Sequence, residues 1–285
     1  MMWQNSYDGK PTLYLVPTPI GNLEDMTFRS IEVLKSVDVI FSEDTRVTLV
    51  LLNHFDIKKK LISLHDHNED MVKDKVLSYL KDNKNVAIVT DRGTPIVSDP
   101  GYKTVKYVSD NGYNVVGLPG ACAFVPAFIV SGLPSEHFLF YGFLNSKDSK
   151  MREELNNLKN FENTIIFYEA PHRLIKCLQA ILDVFGNRYV SISKEISKLH
   201  ESVFRGNISD AIKSFDVVKG EYVIVIDGFK RNSDDYSNLS VVEHVNMYVK
   251  SGLYVMDAIK MVAKERNIPK SEIYKEYHVG DNKWS

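Results

Sequence analysis

The chain has 285 residues, 44% of them hydrophobic and 25% charged, with a formal net charge of −2 at neutral pH. That length buries a sizeable core in one large or two medium domains, and the charge balance argues against a generic polyanion binder, so an RNA partner must meet a local patch. No apolar run is long enough to span a bilayer and Met1 to Lys10 is polar, so neither a membrane partner nor a signal peptide is expected and the expected residence is cytoplasmic.

In chain order, apolar runs rich in Val, Ile and Phe alternate with segments of helical period. Strands are expected from Leu13, at Val39 to Ser42, Leu61 to Leu64, Val86 to Thr90 and Tyr113 to Gly117. Between them Asp25 to Ser36, Thr45 to Phe55, Met71 to Asn83 and Tyr102 to Asn111 space apolar residues three and four apart. Such alternation predicts an α/β domain, residues 1–120, with a mostly parallel sheet covered on both faces. A helix over Ala121 to Gly132 follows. Alternation then resumes with strands at Phe138 to Phe143, Thr164 to Tyr168, Tyr189 to Lys194 and Tyr222 to Asp227, and helices at Ser149 to Asn160, His172 to Phe185 and Ile208 to Phe215. A second α/β domain, residues 121–230, also with a mostly parallel sheet, is the simplest reading. Gly228 to Ser240 has the composition of a linker, and residues 231–285 then form a small helical tail with helices at Val241 to Lys250, Met256 to Arg266 and Lys270 to Tyr277. The last two have the spacing of a helix-turn-helix, which either contacts nucleic acid or is a plain helix pair.

Several chemistries find no support. No two of the fifteen glycines are two residues apart, so there is no Gly-x-Gly, and Gly-x-x-x-x-Gly-Lys-Ser/Thr is also missing; nicotinamide enzymes and P-loop NTPases are not expected. Cys122 and Cys177 lie in apolar helical patterns and read as small hydrophobes. His65 and His67 lack helical ligand spacing, so no metal is expected.

Two strand-loop segments carry most of the remaining information. Leu13 to Asn22 reads LYLVPTPIGN and Val86 to Gly101 reads VAIVTDRGTPIVSDPG. A buried strand that ends in a Pro/Gly/Thr cluster offers backbone N–H groups at the carboxyl edge of a sheet, although each segment alone also reads as an ordinary strand-to-helix turn. Leu118-Pro119-Gly120-Ala121 is equally ambiguous, and Ser42-Glu43-Asp44-Thr45-Arg46 contains a candidate helix cap beside an arginine placed to hold a phosphate. The order and wording of these elements resemble the small-subunit rRNA 2'-O-methyltransferases of the tetrapyrrole methylase superfamily, over roughly Leu13 to Gly228. Arg92 departs from the commonest form, which has Ala there.

The resemblance implies two consecutive α/β domains of the tetrapyrrole methylase type, S-adenosyl-L-methionine as cofactor, a homodimer, and 16S rRNA within the small ribosomal subunit as partner, with methylation of the ribose of a decoding-centre cytidine. It implies that Pro17, Asp91, Gly93, Thr94, Pro95, Val97 and Ser98 surround the cofactor. Leu118, Gly120, Ala121 and Cys122 form the next element, and Tyr141, Phe143, Ala170, Pro171, Gly220 and Glu221 come from the second half. Arg46, Arg92 and Lys198 are the candidate RNA contacts. Methyl transfer to a neutral hydroxyl needs a base, for which Glu195 and Asp99 rank first and His200 next, ahead of Asp44, His172 and Lys194. Two rival readings are a methyltransferase of a corrin or porphyrin precursor and a noncatalytic ribosome-binding factor on the same scaffold.

Overall fold

A computed structural model of the chain describes residues 3–6, 8–215, 218–230 and 239–281. The chain divides into two compact units, Met1–Gly228 and Phe229–Ser285.

The first sheet of the larger unit holds β1 (Thr12–Leu15), β2 (Val39–Ser42), β3 (Lys60–Ser63), β4 (Val86–Val89) and β5 (Asn114–Gly117), in the order β3-β2-β4-β1-β5. Every pairing in it is parallel, as the strand-helix alternation predicts. The helices α1 (Phe28–Ser36), α2 (Thr45–His54), α3 (Glu69–Lys81) and α4 (Tyr102–Asp110) connect the strands. Because successive side chains point to opposite faces, Ile40, Ala87 and Val89 meet Leu34 and Leu52 of α1 and α2 on one side. Val39, Phe41, Val86 and Ile88 meet Val76, Leu80 and Val108 of α3 and α4 on the other. Thr27 caps α1 by accepting from Ser30 N–H, and Asp44 caps α2 by accepting from Arg46 N–H.

The second sheet departs from expectation. Its strands β6 (Phe138–Phe143), β7 (Thr164–Glu169), β8 (Tyr189–Lys194), β9 (Ser202–Asn207) and β10 (Tyr222–Ile226) are ordered β6-β7-β10-β8-β9, and only β6 and β7 run parallel. The other three pairings are antiparallel, so this sheet is mixed rather than mostly parallel. The cause is connectivity. Residues 195–201 are too short a connection to carry β9 back alongside β8 in parallel, so the two form a hairpin, and β10 enters antiparallel between β7 and β8. The helices are α5 (Phe124–Ile129), α6 (Asp148–Leu158), α7 (Leu174–Phe185) and α8 (Ile208–Ser214). Leu155, Leu178, Ile181 and Ala211 cover one face over Ile165, Phe167 and Ile224. On the opposite face Ala127 and Phe128 of α5 meet Ile166, Val223 and Val225, and Ile20 from the loop after β1 joins the same cluster. That shared cluster holds the two sheets together, with the ends of β1 and β4 facing the second sheet's strand ends.

The smaller unit is a three-helix bundle, α9 (Val241–Lys250), α10 (Val255–Arg266) and α11 (Lys270–Asp281), around Val245, Ile259, Val262, Ile273 and Tyr277. A capping box between Ser240 and Glu243 starts α9, and Asn267 in the left-handed region ends α10. Of the expected linker, residues 231–238 lie outside the described residues. Among the described residues no helix is long and apolar enough to cross a membrane.

Candidate functional site

The loops after β1 and β4 are stitched to each other. Thr18 N–H donates to Gly93 O (2.9 Å), Gly93 N–H donates back to Thr18 O (3.0 Å), and the Thr18 hydroxyl donates to Thr90 O (3.0 Å). Thr94 Oγ1 donates to Ala121 O (2.9 Å), adding the loop after β5 to the same frame. Gly120 is required there: a Cβ would sit 2.5 Å from Pro17 Cβ. Beyond Pro95 the β4 loop adopts left-handed conformations at Ile96 (φ 75°) and Ser98 (φ 67°), which cost about 1–3 kcal/mol each outside glycine. The surroundings hold this strain in place. Ile96 tucks against Gly101, while Ser98 Oγ lies against Gly142, where β6 is bulged.

These loops wall a cavity of about 440 Å³. Gly93, Thr94, Val97, Ser98 and Asp99 form one side, Cys122 and Ala123 lie next to them, and Phe143, Tyr168, Glu169, Ala170, Pro171, Ile196, Glu221, Tyr222 and Val223 come from the second sheet. Below it, Phe124 stacks on Phe140 at 4.4 Å between ring centroids, and Tyr168 meets Phe140 edge-on at 4.9 Å. The Tyr168 hydroxyl accepts from Phe124 N–H (3.2 Å), fixing the start of α5; burial and neighbouring Cys122 push its pKa above the usual phenol value.

Asp99 is the distinctive charge in the cavity. Burial, with the carboxylate of Glu43 as the second cause, pushes it up to about 6. It does not cap α4, whose N-cap is Gly101. A carboxylate that titrates near neutrality and faces open space can accept a proton from a ligand at physiological pH. Glu195 is different. It is held by a hydrogen bond from Lys198 Nζ (2.9 Å) and by Glu221 N–H (2.9 Å), and the Lys198 contact is the main cause of its lowered pKa. It belongs to the scaffold of the loop after β8 and is not among the cavity-lining residues. His200 is exposed in that loop, away from the lining.

A chain of charges crosses the cavity rim, running from Arg92 to Glu221, from Glu221 to Lys198 (2.9 Å) and from Lys198 to Glu195 (2.9 Å). Beyond Arg92 lies a groove of about 520 Å³ along α2, lined by Leu23, Val47, Val50 and Leu51 together with Thr18, His54, Asp91, Arg92 and Lys198. Arg46, 89% exposed, forms a bidentate pair with its neighbour Asp44, whose pKa it pulls down to about 2. All three expected RNA-contacting cations are therefore paired with carboxylates.

Of the cofactor residues implied by the resemblance, Gly93, Thr94, Val97, Ser98, Cys122, Phe143, Ala170, Pro171 and Glu221 line the cavity. Pro17, Gly120 and Ala121 form the frame behind it, Leu118 is buried in the core of the first sheet, Pro95 is buried in the β4 loop, and Asp91 faces the groove while accepting from Asp44 N–H (3.0 Å). Gly220 leaves room for the Glu195 carboxylate, which a Cβ would meet at 2.5 Å. Tyr141 packs against Phe167 on the far face of the second sheet instead. Sequence reading missed Tyr168, Ile196 and Val223 as lining residues. Each continues the apolar pattern of its strand or loop, and nothing in that pattern separates a cavity wall from a core. Among the described residues no three His, Cys, Asp or Glu side chains gather to hold a metal ion.

Comparison with known proteins places this geometry. Residues 12–212 match the family described as Tetrapyrrole (Corrin/Porphyrin) Methylases. The protein named ribosomal RNA small subunit methyltransferase I of Bacillus subtilis (strain 168) is 44% identical over 97% of this chain and 98% of its own length. Its namesake in Escherichia coli O157:H7 is 37% identical over 95% and 96%. Among solved structures, a cobalt precorrin-4 methyltransferase matches at a TM-score of 0.57, with 16% identity over 76% of this chain and 94% of that one. A uroporphyrin-III C-methyltransferase from Thermus thermophilus, complexed with S-adenosyl homocysteine, matches at 0.53, with 17% identity over 75% and 96%. Full-length likeness to the first pair and shared fold with the second give one conclusion: the chain belongs to the tetrapyrrole (corrin/porphyrin) methylase family, alongside the proteins named ribosomal RNA small subunit methyltransferase I.

Proposed function

We propose that this chain is an S-adenosyl-L-methionine-dependent methyltransferase that acts in the cytoplasm on 16S rRNA of the small ribosomal subunit, at the ribose 2'-hydroxyl of a decoding-centre cytidine. The observation that carries this reading is the near full-length likeness to proteins whose names state rRNA as their substrate. The cavity fits the cofactor. Its glycine-framed backbone allows close approach, its apolar and aromatic walls suit an adenosine, and the carboxylate of Asp99 in its lining complements a sulfonium cation.

Gly93, Thr94, Val97, Ser98, Ala170 and Pro171 would hold the cofactor. When bound, it would supply an electrophilic methyl group on a sulfonium, and transfer of that methyl to the ribose O2' would break the carbon–sulfur bond, leave S-adenosylhomocysteine and free the hydroxyl proton. Asp99 accepts that proton. Its burial makes it basic enough for the task, and a positioned base contributes about 10²- to 10⁴-fold. Holding the methyl donor and the ribose hydroxyl in line contributes up to about 7–11 kcal/mol. Arg92 and Lys198, at the edge of the groove, exchange their carboxylate partners for rRNA phosphate. Two copies act as a homodimer, a reading supported by exposed Val125 and Ile129 on α5 and exposed Phe138 on β6.

The test is nucleoside mass spectrometry of 16S rRNA from cells that lack this chain. Loss of 2'-O-methylation at one decoding-region cytidine, restored by the wild-type chain and not by Asp99→Asn, is the expected result. Unchanged rRNA together with altered corrinoid or porphyrin pools would assign the chain to tetrapyrrole substrates, and restoration by Asp99→Asn would remove Asp99 as the base.

A further inference from the structure

The loop that joins β8 to β9 carries a residue that neither fold stability nor cofactor binding uses. Leu199 is 94% exposed at its tip, between Lys198 and exposed His200. A lone surface leucine is ordinary. A leucine held out by a rigid and strained loop at the edge of a reaction cavity is not.

The rigidity is specific. Glu195 (φ 55°) and Ser197 (φ 64°) are both left-handed, a conformation side-chain-bearing residues keep only when their surroundings enforce it. Glu195 N–H donates to Glu221 O (3.0 Å) and its carboxylate accepts from Glu221 N–H (2.9 Å), a clasp that Gly220 makes room for. Ser197 N–H donates to Glu201 Oε2 (2.7 Å), Lys198 N–H to Glu195 O (3.0 Å) and Glu201 N–H to Lys198 O (3.0 Å). Ile196 is buried in the cluster beneath the cavity and lines it, while the stem of Lys198 lies along Gly21 and its head lines the groove. The loop is thus fixed on both sides of Leu199, at the rim that separates cavity from groove.

We propose that Leu199 is a positioning residue that enters the rRNA base stack and fills the space left when the target nucleotide swings out toward the cavity. This rests on the rRNA reading above. A ribose within a folded rRNA is held by stacking of its own base, and proteins that extrude or kink nucleotides meet the unstacking cost with an apolar wedge such as leucine. Flanking Lys198 and His200 suit approach to the phosphates on either side.

The test compares wild type, Leu199→Ala and Leu199→Met in transfer of labelled methyl from S-adenosylmethionine to two preparations of small subunits. One carries native unmethylated 16S rRNA, and the other an abasic site beside the target cytidine, which removes a stacking partner. Leu199→Ala is expected to lower kcat/KM on native subunits on the order of tenfold, to recover on the abasic subunits, and to keep wild-type cofactor affinity; Leu199→Met is expected to retain native activity. An equal loss on both preparations, no loss on native subunits, failure of Leu199→Met to retain activity, or a change in sedimentation that marks Leu199 as a subunit contact would each overturn the proposal. If wild type methylates neither preparation, the rRNA reading itself fails and the proposal falls with it.

Discussion

Asp99 shows how one residue's surroundings set its chemistry. Its carboxyl is raised above the value it has in an unfolded chain, chiefly by burial. Between about pH 4 and pH 6 the folded state therefore binds the extra proton, and stability falls as pH rises through that window. At neutral pH the ionised group costs roughly 1 kcal/mol, once screening of its partly exposed carboxyl is allowed for. Asp99→Asn is thus expected to unfold at a higher urea concentration than wild type at pH 8 and at the same concentration at about pH 3; a variant less stable at pH 8 would contradict the burial argument. The same ionisation should appear in turnover, with wild-type kcat/KM, which reports the free protein, rising as pH climbs through about 6 because the base must be charged to accept a proton. The rim pair is the opposite case. Arg92 and Glu221 are each more than half exposed, so Arg92→Ala should shift stability by no more than about 1 kcal/mol in urea unfolding while weakening rRNA binding and its salt dependence.

At the scale of elements, the first sheet was legible because each strand ends in a turn cluster and each helix has a clear apolar face. The second sheet was legible in content but not in direction: β7, β8 and β10 are buried on both faces, and burial carries no record of strand orientation. β9 was missed as a strand because Ser202–Asn207 is an edge strand that alternates polar and apolar residues irregularly and has no fully buried residue. The loops were read well as motifs and less well as contacts. Gly120 and Pro17 belong to a frame behind the cavity, and Tyr141 faces the other side of its sheet, details set by packing across a distance of many residues. That frame makes its own prediction: Gly120→Ala places a Cβ 2.5 Å from Pro17 and should cost about 1–3 kcal/mol in urea unfolding, with weaker cofactor binding by calorimetry. An unchanged unfolding midpoint would mean that the two loops are free to separate.

For the whole molecule, family membership follows from the family match over residues 12–212 and from 37–44% identity to relatives over nearly the full length, and two sheets joined through Ile20 and α5 wall a cavity with a carboxylate pushed up to about 6, beside a groove rimmed by paired cations. The most direct test of this account is transfer of labelled methyl from S-adenosylmethionine by the purified full-length chain to small subunits lacking ribose methylation, with the modified nucleotide located by mass spectrometry. The account predicts label on the 2'-oxygen of a single decoding-region cytidine, lost by about 10²- to 10⁴-fold with Asp99→Asn. Absence of label on rRNA, with transfer instead to a corrin or porphyrin precursor, would contradict it.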